Sequence, residues 1–196
     1  MTVTIRAGIS QDQRTKAAAL YWQAFSAKLG RIMGPEEKAL DFLTRVLDAD
    51  FAIGATDPQG ELVGLAGFKT ADGAMIGGEL GDLQKTYGWI GGIWRGLLLS
   101  LLERPLATGV LLMDGICVDA NARGQGVGTL LLDEIKAEAR RRSYQSVRLD
   151  VIDSNPRAEA LYRREGFLAS DRQHIGPLRH LFGFRSALQM HFPLTE

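Results

Sequence analysis

Cysteine is almost absent from this sequence, with one residue, Cys117, among 196. A single thiol excludes an internal disulfide and a cysteine-based zinc site. It is also typical of a protein from a reducing compartment. The first residues lack the apolar core of a secretory signal. We therefore expect a cytoplasmic protein.

Charge of one sign is not in excess either, since 23 Lys and Arg residues balance 23 Asp and Glu residues. This balance gives no indication of a nucleic-acid partner. The most apolar run, residues 89–102, is interrupted by Arg95. It is shorter than the roughly 20 residues that a membrane-spanning helix needs. We expect no membrane span, and any anion-binding site must be local.

Periodic apolar residues and turn signals predict a single α/β domain over residues 1–196. We expect a mixed central sheet of about seven strands with flanking helices. The first helix is expected to end at Gly30, and a second to begin at Gly34-Pro35. An insertion at about 71–108, a loop and then a helix over roughly 90–102, precedes the fourth strand.

Three glycines alternate with other residues at Gly124, Gly126 and Gly128, between an apolar strand at 109–119 and a long amphipathic run. A strand, a glycine-rich turn and a helix N-terminus together favour anion binding. The spacing is not the G-x-G-x-x-G of a dinucleotide site, and the loop lacks the lysine of a nucleotide P-loop. A loop for the pyrophosphate of acetyl-coenzyme A and a turn that binds nothing are the readings left open.

Two motifs, in order, resemble those of the GCN5-related N-acetyltransferases (GNAT). The first is "ICVDANARGQGVGTLLL", in which Val118 is followed by Arg123-Gly124-Gln125-Gly126-Val127-Gly128. The second is the helix "NPRAEALYRREGF", with matches at Asn155, Ala158, Leu161, Tyr162, Gly166 and Phe167. The resemblance is clear over roughly residues 109–170.

The resemblance implies acetyl-CoA as cosubstrate and no metal. Backbone groups of Ile116 and Val118 would pair with the pantetheine arm as a strand does, and the amides from Gly124 to Thr129 would hold the pyrophosphate. The implied cofactor-binding residues are Ile116, Cys117, Val118, Arg123, Gly124, Gln125, Gly126, Val127, Gly128, Thr129, Asn155 and Tyr162. For Asn155, a plain N-cap role stands beside contact with the cofactor arm.

Tyr162 is the candidate general acid, because the phenol of this family's motif can protonate the departing thiolate. Asp114 is the candidate base, acting through water, and Glu79 is a weaker rival. The alternatives are a half-buried core tyrosine and an aspartate that satisfies a strand bulge beside Gly115. Cys117 is expected to be a packed core thiol.

The resemblance implies acetyl transfer directly to a primary amine of a small molecule, or of a peptide N-terminus or side chain. A longer acyl-CoA donor, or a CoA-binding sensor without turnover, are the alternatives. The acceptor pocket is expected at three places: the turn between the first two helices, the insertion, and the segment "HIGPLRHLFGF". The residues expected there are Phe25, Lys28, Arg31 and Met33 of the turn, Glu79, Tyr87, Trp89 and Trp94 of the insertion, and His174 and His180 of the segment. Their apolar character favours a small amine with an apolar part. The apolar insertion is also compatible with a homodimer interface.

Overall fold

The fold is described from a computed structural model, which covers residues 2–102 and 105–194. The strands are β1 Thr4–Ala7, β2 Ala52–Thr56, β3 Leu62–Thr70, β4 Gly73–Ala74, β5 Val110–Val118, β6 Ser146–Ile152, β7 Leu168–His174 and β8 Ser186–Pro193. The helices are α1 Arg14–Met33, α2 Glu36–Val46, α3 Leu80–Tyr87, α4 Trp89–Ser100, α5 Val127–Arg141, α6 Pro156–Arg164 and α7 Arg179–Phe182.

The strands form one mixed sheet in the order β1-β2-β3-β5-β6-β8-β7, with the two-residue β4 beside β3. Strands β5 and β6 are parallel, and the other pairings are antiparallel. The parallel pair requires a crossover, which α5 provides. The predicted α/β fold is confirmed, and β4 brings the expected seven strands to eight.

Helices α1 and α5 cover opposite faces of the sheet. A Cβ on Gly115 of β5 would meet the ring of Phe25 from α1 at 2.3 Å. A Cβ on Gly64 of β3 would instead meet Val127 of α5 at 2.9 Å. Because side chains alternate between faces along a strand, these two glycines mark where the two helices press closest to the backbone.

The first helix does not end at Gly30, as expected, but continues to Met33. Ile32 and Met33 are buried in a second core with α2 and α3. The Arg95 guanidinium donates to the carbonyl of Ile32 at 2.7 Å and to that of Gly34 at 3.3 Å. Packing and this side-chain cap therefore outweigh the weak helix propensity of Gly30.

The insertion contains more structure than the expected loop and single helix. It holds β4 and α3 as well as α4, which spans Trp89–Ser100 rather than roughly 90–102. Gly92 permits the close approach of the two helices, since a Cβ there would lie 2.6 Å from the backbone nitrogen of Gln84. The helix α3 is only eight residues long, so its stability comes from packing of residues such as Leu83 rather than from local sequence. In the part of the chain described here, no helix is both long and apolar enough to cross a bilayer.

Candidate active site

The central feature of the site is a split between β5 and β6. The two strands pair only from Val110–Ser146 to Leu112–Arg148, although β5 continues to Val118 and β6 to Ile152. Beyond Leu112 they diverge, and the outer edges of both strands stay bonded to β3 and β8. A V-shaped opening is therefore built into the middle of the sheet.

Backbone polar groups of β5 face this opening. The amide of Asp119 donates to the Val63 carbonyl at 2.9 Å, which turns that amide toward β3. Because successive residues of a strand point their polar groups to opposite sides, those of Ile116 and Val118 face away from β3. Arg123 Nε donates to the Val118 carbonyl at 3.1 Å, from the open side. The edge of β5 at Ile116 and Val118 is thus not bonded to a neighbouring strand, and it lies where the sequence predicts pairing with a pantetheine arm.

The glycine-rich turn lies at the end of β5 and leads into α5. Gly124 and Gly126 have φ angles of +77° and +82°, in the left-handed region that favours glycine. No atom lies within 4 Å of where either Cβ would stand. The α5 hydrogen-bond ladder begins with Leu130 N–H donating to Gly126, so the amides of Val127 to Thr129 precede it. Amides that precede the hydrogen-bond ladder at a helix N-terminus favour the binding of an anion.

The polar side chains of this turn form hydrogen bonds to other residues of the chain. Gln125 Nε2 donates to the Asn121 carbonyl at 2.8 Å, and the Thr129 hydroxyl donates to Glu165 at 2.9 Å. A Cβ on Gly128 would meet Leu161 of α6 at 3.2 Å, so this glycine brings α5 and α6 together. Arg123 is held against Val118, as described above. The turn therefore offers an anion its backbone rather than its side chains.

Tyr162 lies on α6, near Cys117 of β5. Asn155 caps this helix by accepting from the Ala158 amide at 3.2 Å, and Pro156 follows at its first position. The cap and the predicted helix are thus confirmed. Tyr162 is buried, and its ring centroid lies 5.9 Å from that of Phe167. Burial raises the pKa of Tyr162, as does the nearby Cys117 thiol, so the phenol keeps its proton at neutral pH.

Cys117 is a buried free thiol, as predicted. Burial raises its pKa to about 12, partly opposed by the charge of Arg123. A thiol that stays protonated is a poor nucleophile. Within the described residues, no group of three or more His, Cys, Asp and Glu side chains is placed to hold a metal ion.

Asp114 occupies a β-bulge in β5. Gly67 of β3 pairs with Gly115 and Phe68 pairs with Met113, so Asp114 is the extra residue between them. Its carboxyl group is largely buried, and this desolvation raises its pKa to about 6, against the opposing charges of Lys69 and Lys28. A carboxyl with this pKa ionises just below neutral pH, as a general base requires.

Asp114 borders a cavity of about 650 Å³ between the sheet and helices α1 to α4. Apolar side chains dominate the lining: Trp22, Phe25, Leu29, Met33, Phe42, Leu43, Ile76, Leu80, Leu83, Ile93, Leu97, Leu99, Leu102, Leu112, Met113, Ile152, Phe184 and Ala187. The remaining lining residues are Tyr21, Lys28, Lys69, Gly78, Gly96, Ser100, Asp114 and Asp150. A concave apolar site with a few convergent polar groups is typical of a ligand pocket.

The structure brings some of the predicted acceptor residues together and not others. Phe25, Lys28 and Met33 line the cavity, as does Phe184 of the last segment. Glu79 does not: it is the exposed N-cap of α3. The other candidates also lie outside the lining: Arg31, Tyr87, Trp89, Trp94, His174 and His180.

The sequence analysis missed Tyr21, Lys69 and Asp150. Leu112 and Arg148 are register partners, so Asp114 and Asp150, each two residues further on, flank the start of the split. Asp150 Oδ2 lies 3.4 Å from Arg148 Nη2. For Asp150 the sequence offered one signal, a charged residue within the strand "SVRLDVID". Only the pairing register of β5 and β6 shows that this residue lies beside Asp114.

This arrangement defines the class of protein. A GNAT family model, described as "Acetyltransferase (GNAT) family", matches residues 15–167. The chain belongs to the GNAT acetyltransferase family, a class of acyl-CoA-dependent transferases. No functionally curated protein matches the sequence.

Solved structures with a similar fold come from distant members of the class. A GCN5-related N-acetyltransferase from Kribbella flavida is 16% identical, with a TM-score of 0.65 and 97% of each chain covered. A ribosomal-protein-alanine N-acetyltransferase from Brucella melitensis is 19% identical, with a TM-score of 0.61, covering 97% of this chain and 99% of its own. A phosphinothricin acetyltransferase from Sinorhizobium meliloti, solved with AcCoA, is 18% identical, with a TM-score of 0.61 and coverages of 100% and 90%. At these identities the likeness shows the fold, and the particular acceptor has to be argued from the site.

Proposed function

We propose that the protein transfers an acetyl group from acetyl-CoA directly to a primary amine of a small molecule. The observation that carries the proposal is the alignment of three features along one path: the open glycine turn, the split sheet and the cavity beside Asp114. Membership of the GNAT family supports it. The two relatives named for their substrates act on a protein and on a small molecule, so the family alone leaves the acceptor open.

The residues present fit coenzyme A. The amides of Val127 to Thr129 and the open space at Gly124 and Gly126 suit a pyrophosphate. The free edge of β5 at Ile116 and Val118 suits the amides of a pantetheine arm. Acetyl-CoA, when bound, supplies the activated acetyl group and a thiol leaving group.

Asp114 is assigned the first proton transfer. An ammonium cannot attack a carbonyl carbon, so one proton must leave the acceptor first. A carboxylate with a pKa near 6 at the floor of the cavity can take that proton, directly or through a water, and return it to solvent. The positive charges of Lys69 and Lys28 stabilise the carboxylate form of Asp114 and so limit the rise of its pKa.

Tyr162 is assigned the second proton transfer. Its phenol stays protonated at neutral pH and lies near Cys117 on β5, at the split. Donation from the hydroxyl to the departing sulfur leaves a neutral thiol, and solvent then restores the phenol proton. After the nitrogen bonds to the acyl carbon, its second proton would leave through water to solvent. Overall the ammonium loses two protons, the thiol gains one through the phenol, and one remains in solvent, so the charges balance.

The test is a screen of primary amines and short peptides with acetyl-CoA, read by thiol release and by mass spectrometry of the product. We expect an amine heavier by one acetyl group. Coenzyme A binding by calorimetry with no product from any amine or peptide would contradict the proposal and favour a sensor. Faster turnover with longer acyl-CoA donors would favour the alternative acyl group.

A further inference from the structure

The cavity beside Asp114 has its charged groups and its apolar surface in different places. Three of its four charged residues, Lys69, Asp114 and Asp150, come from sheet strands. The helical walls contribute mainly leucine, isoleucine and aromatic side chains, with Lys28 as their one charged residue in the described lining. The lining is therefore amphipathic, with a polar floor and apolar walls.

The reacting nitrogen has to lie at that floor, because the assigned base, Asp114, is there. A single amino group fills little of a cavity of about 650 Å³. The remaining volume must be filled by the body of the acceptor or by water. Water against apolar walls is unfavourable by about 25 cal/mol per Å² of apolar surface left exposed, so an apolar body is favoured.

A peptide acceptor is poorly matched to these walls. Each peptide unit carries a donor and an acceptor that need partners when buried. The described helical walls offer few, and the Ser100 hydroxyl already donates to the Leu97 carbonyl at 2.8 Å. A hydrocarbon body needs no partners.

The apolar lining also continues to the surface. Leu80, Ile93 and Leu97 line the cavity and yet are 48%, 44% and 67% exposed. They stand on facing positions of α3 and α4, where a Cβ on Gly96 would lie 3.0 Å from Leu80. The cavity thus has an apolar mouth at α3 and α4 of the insertion, whereas its polar floor is formed by sheet strands.

We propose that the acceptor is an amphipathic primary amine: its amino group lies at the Asp114 floor and its hydrocarbon chain runs to the mouth at Leu80, Ile93 and Leu97. The proposal rests on the proposed acetyl transfer and names its substrate class. An apolar chain could also enter as the acyl group of the donor. The position of Asp114 at the floor favours the acceptor, because an amine has to give up a proton to a base there and an acyl chain has none to give.

The experiment uses the full chain, acetyl-CoA and linear primary amines from butylamine to decylamine. An ether amine of the length of octylamine, with two methylenes replaced by oxygens, is the polar comparison. We expect kcat/KM to rise about two- to fourfold per methylene, roughly 16- to 250-fold from butylamine to octylamine. The rise should end when the chain passes the mouth, and the ether amine should fall well below octylamine.

Leu97→Gln and Ile90→Gln form a matched pair, since both residues lie exposed on α4 but only Leu97 borders the cavity. We expect Leu97→Gln to lower the ratio of kcat/KM for octylamine to kcat/KM for butylamine by about three- to tenfold. Ile90→Gln should leave this ratio as it is in the natural chain. An equal effect of both variants would overturn the proposed path of the chain.

Two further arms separate this inference from the proposed function. Calorimetry of the same amines, without donor, should show affinity rising with chain length; a flat series overturns the inference whatever the turnover. If affinity rises with chain length but no acetyl group is transferred, the proposed function is overturned and the inference about the cavity is kept. A rate that rises with the acyl chain of the donor and not with the amine would assign the cavity to the acyl group and overturn the inference.

Discussion

Replacing Asp114 by asparagine should make the protein more stable at neutral pH while it removes turnover. The carboxyl has a pKa of about 6 in the folded chain, against an ordinary value of 3.8. Above both values the folded state holds a charged carboxylate that burial disfavours. The corresponding penalty at pH 7 is about 3 kcal/mol. Asparagine has a similar shape and carries no charge, so it escapes this penalty.

The pH dependence has a definite sign. Below about pH 3 the carboxyl is largely neutral in both states, and the penalty is nearly absent. As pH rises toward 6, the unfolded chain gives up this proton while the folded chain keeps it, so the penalty grows. Above pH 6 it reaches its plateau. The stability of the natural chain, relative to Asp114→Asn, should therefore fall by about 2.5 kcal/mol between pH 4 and 8.

Urea denaturation of both proteins at pH 4, 6 and 8 measures this difference directly. Asp12→Asn, at an exposed position, is the control and should change stability by less than about 0.5 kcal/mol. In parallel, kcat/KM of the natural chain should rise through pH 6 and that of Asp114→Asn should be low and lack this inflection. A stability difference independent of pH would refute the burial argument. A retained inflection would refute the assignment of the base.

Three further predictions concern the acid, the turn and the insertion. Tyr162→Phe keeps the ring packed against Phe167 and removes only the hydroxyl. We expect thiol release to show a kcat about 100-fold lower and urea denaturation to show a stability change of less than about 1 kcal/mol. Full activity of this variant would exclude the phenol as the acid. Gly126→Ala and its control Gly60→Ala each place a Cβ at a left-handed residue with open space around it, and each should lower stability by about 1–2 kcal/mol. Only Gly126→Ala should weaken the binding of coenzyme A in calorimetry. Equal affinities of the two variants would show that the turn does not hold the cofactor. Arg95→Met removes the guanidinium bonds to the end of α1 and the stacking over Tyr87, with 4.0 Å between the guanidinium carbon and the ring centroid. We expect stability to fall by about 2–3 kcal/mol and the KM for the acceptor to rise. An unchanged KM would mean that the insertion does not shape the cavity.

Local signals were sufficient where a structure depends on neighbouring residues. The cap at Asn155, the proline after it and the glycine turn before α5 each act within a few residues, and all three are found as predicted. The antiparallel hairpin of β2 and β3 was equally readable, because a turn sequence separates two strand patterns. Local patterning also predicted the apolar strand that became β5.

Predictions that rested on one residue were weaker when packing opposed them. Gly30 is a poor helix former, but burial of Ile32 and the contacts of Arg95 extend α1 beyond it. The helix α3 follows a glycine-rich stretch and is held by packing against α2 and α4. Neither interaction leaves a mark in the local sequence, since the partners are distant along the chain.

The sequence by itself determined the family, the sheet and helix order over the second half, the glycine turn, and Tyr162 and Asp114 as candidates, because these depend on short motifs and local periodicity. The tertiary structure decided that β5 and β6 part after Leu112, that Asp114 sits in a bulge with a raised pKa, and that Asp150 and Lys69 join it at the floor of an apolar cavity. Those facts follow from strand register and from helices packed across the sheet. Desolvation and proximity act between residues that only the fold brings together.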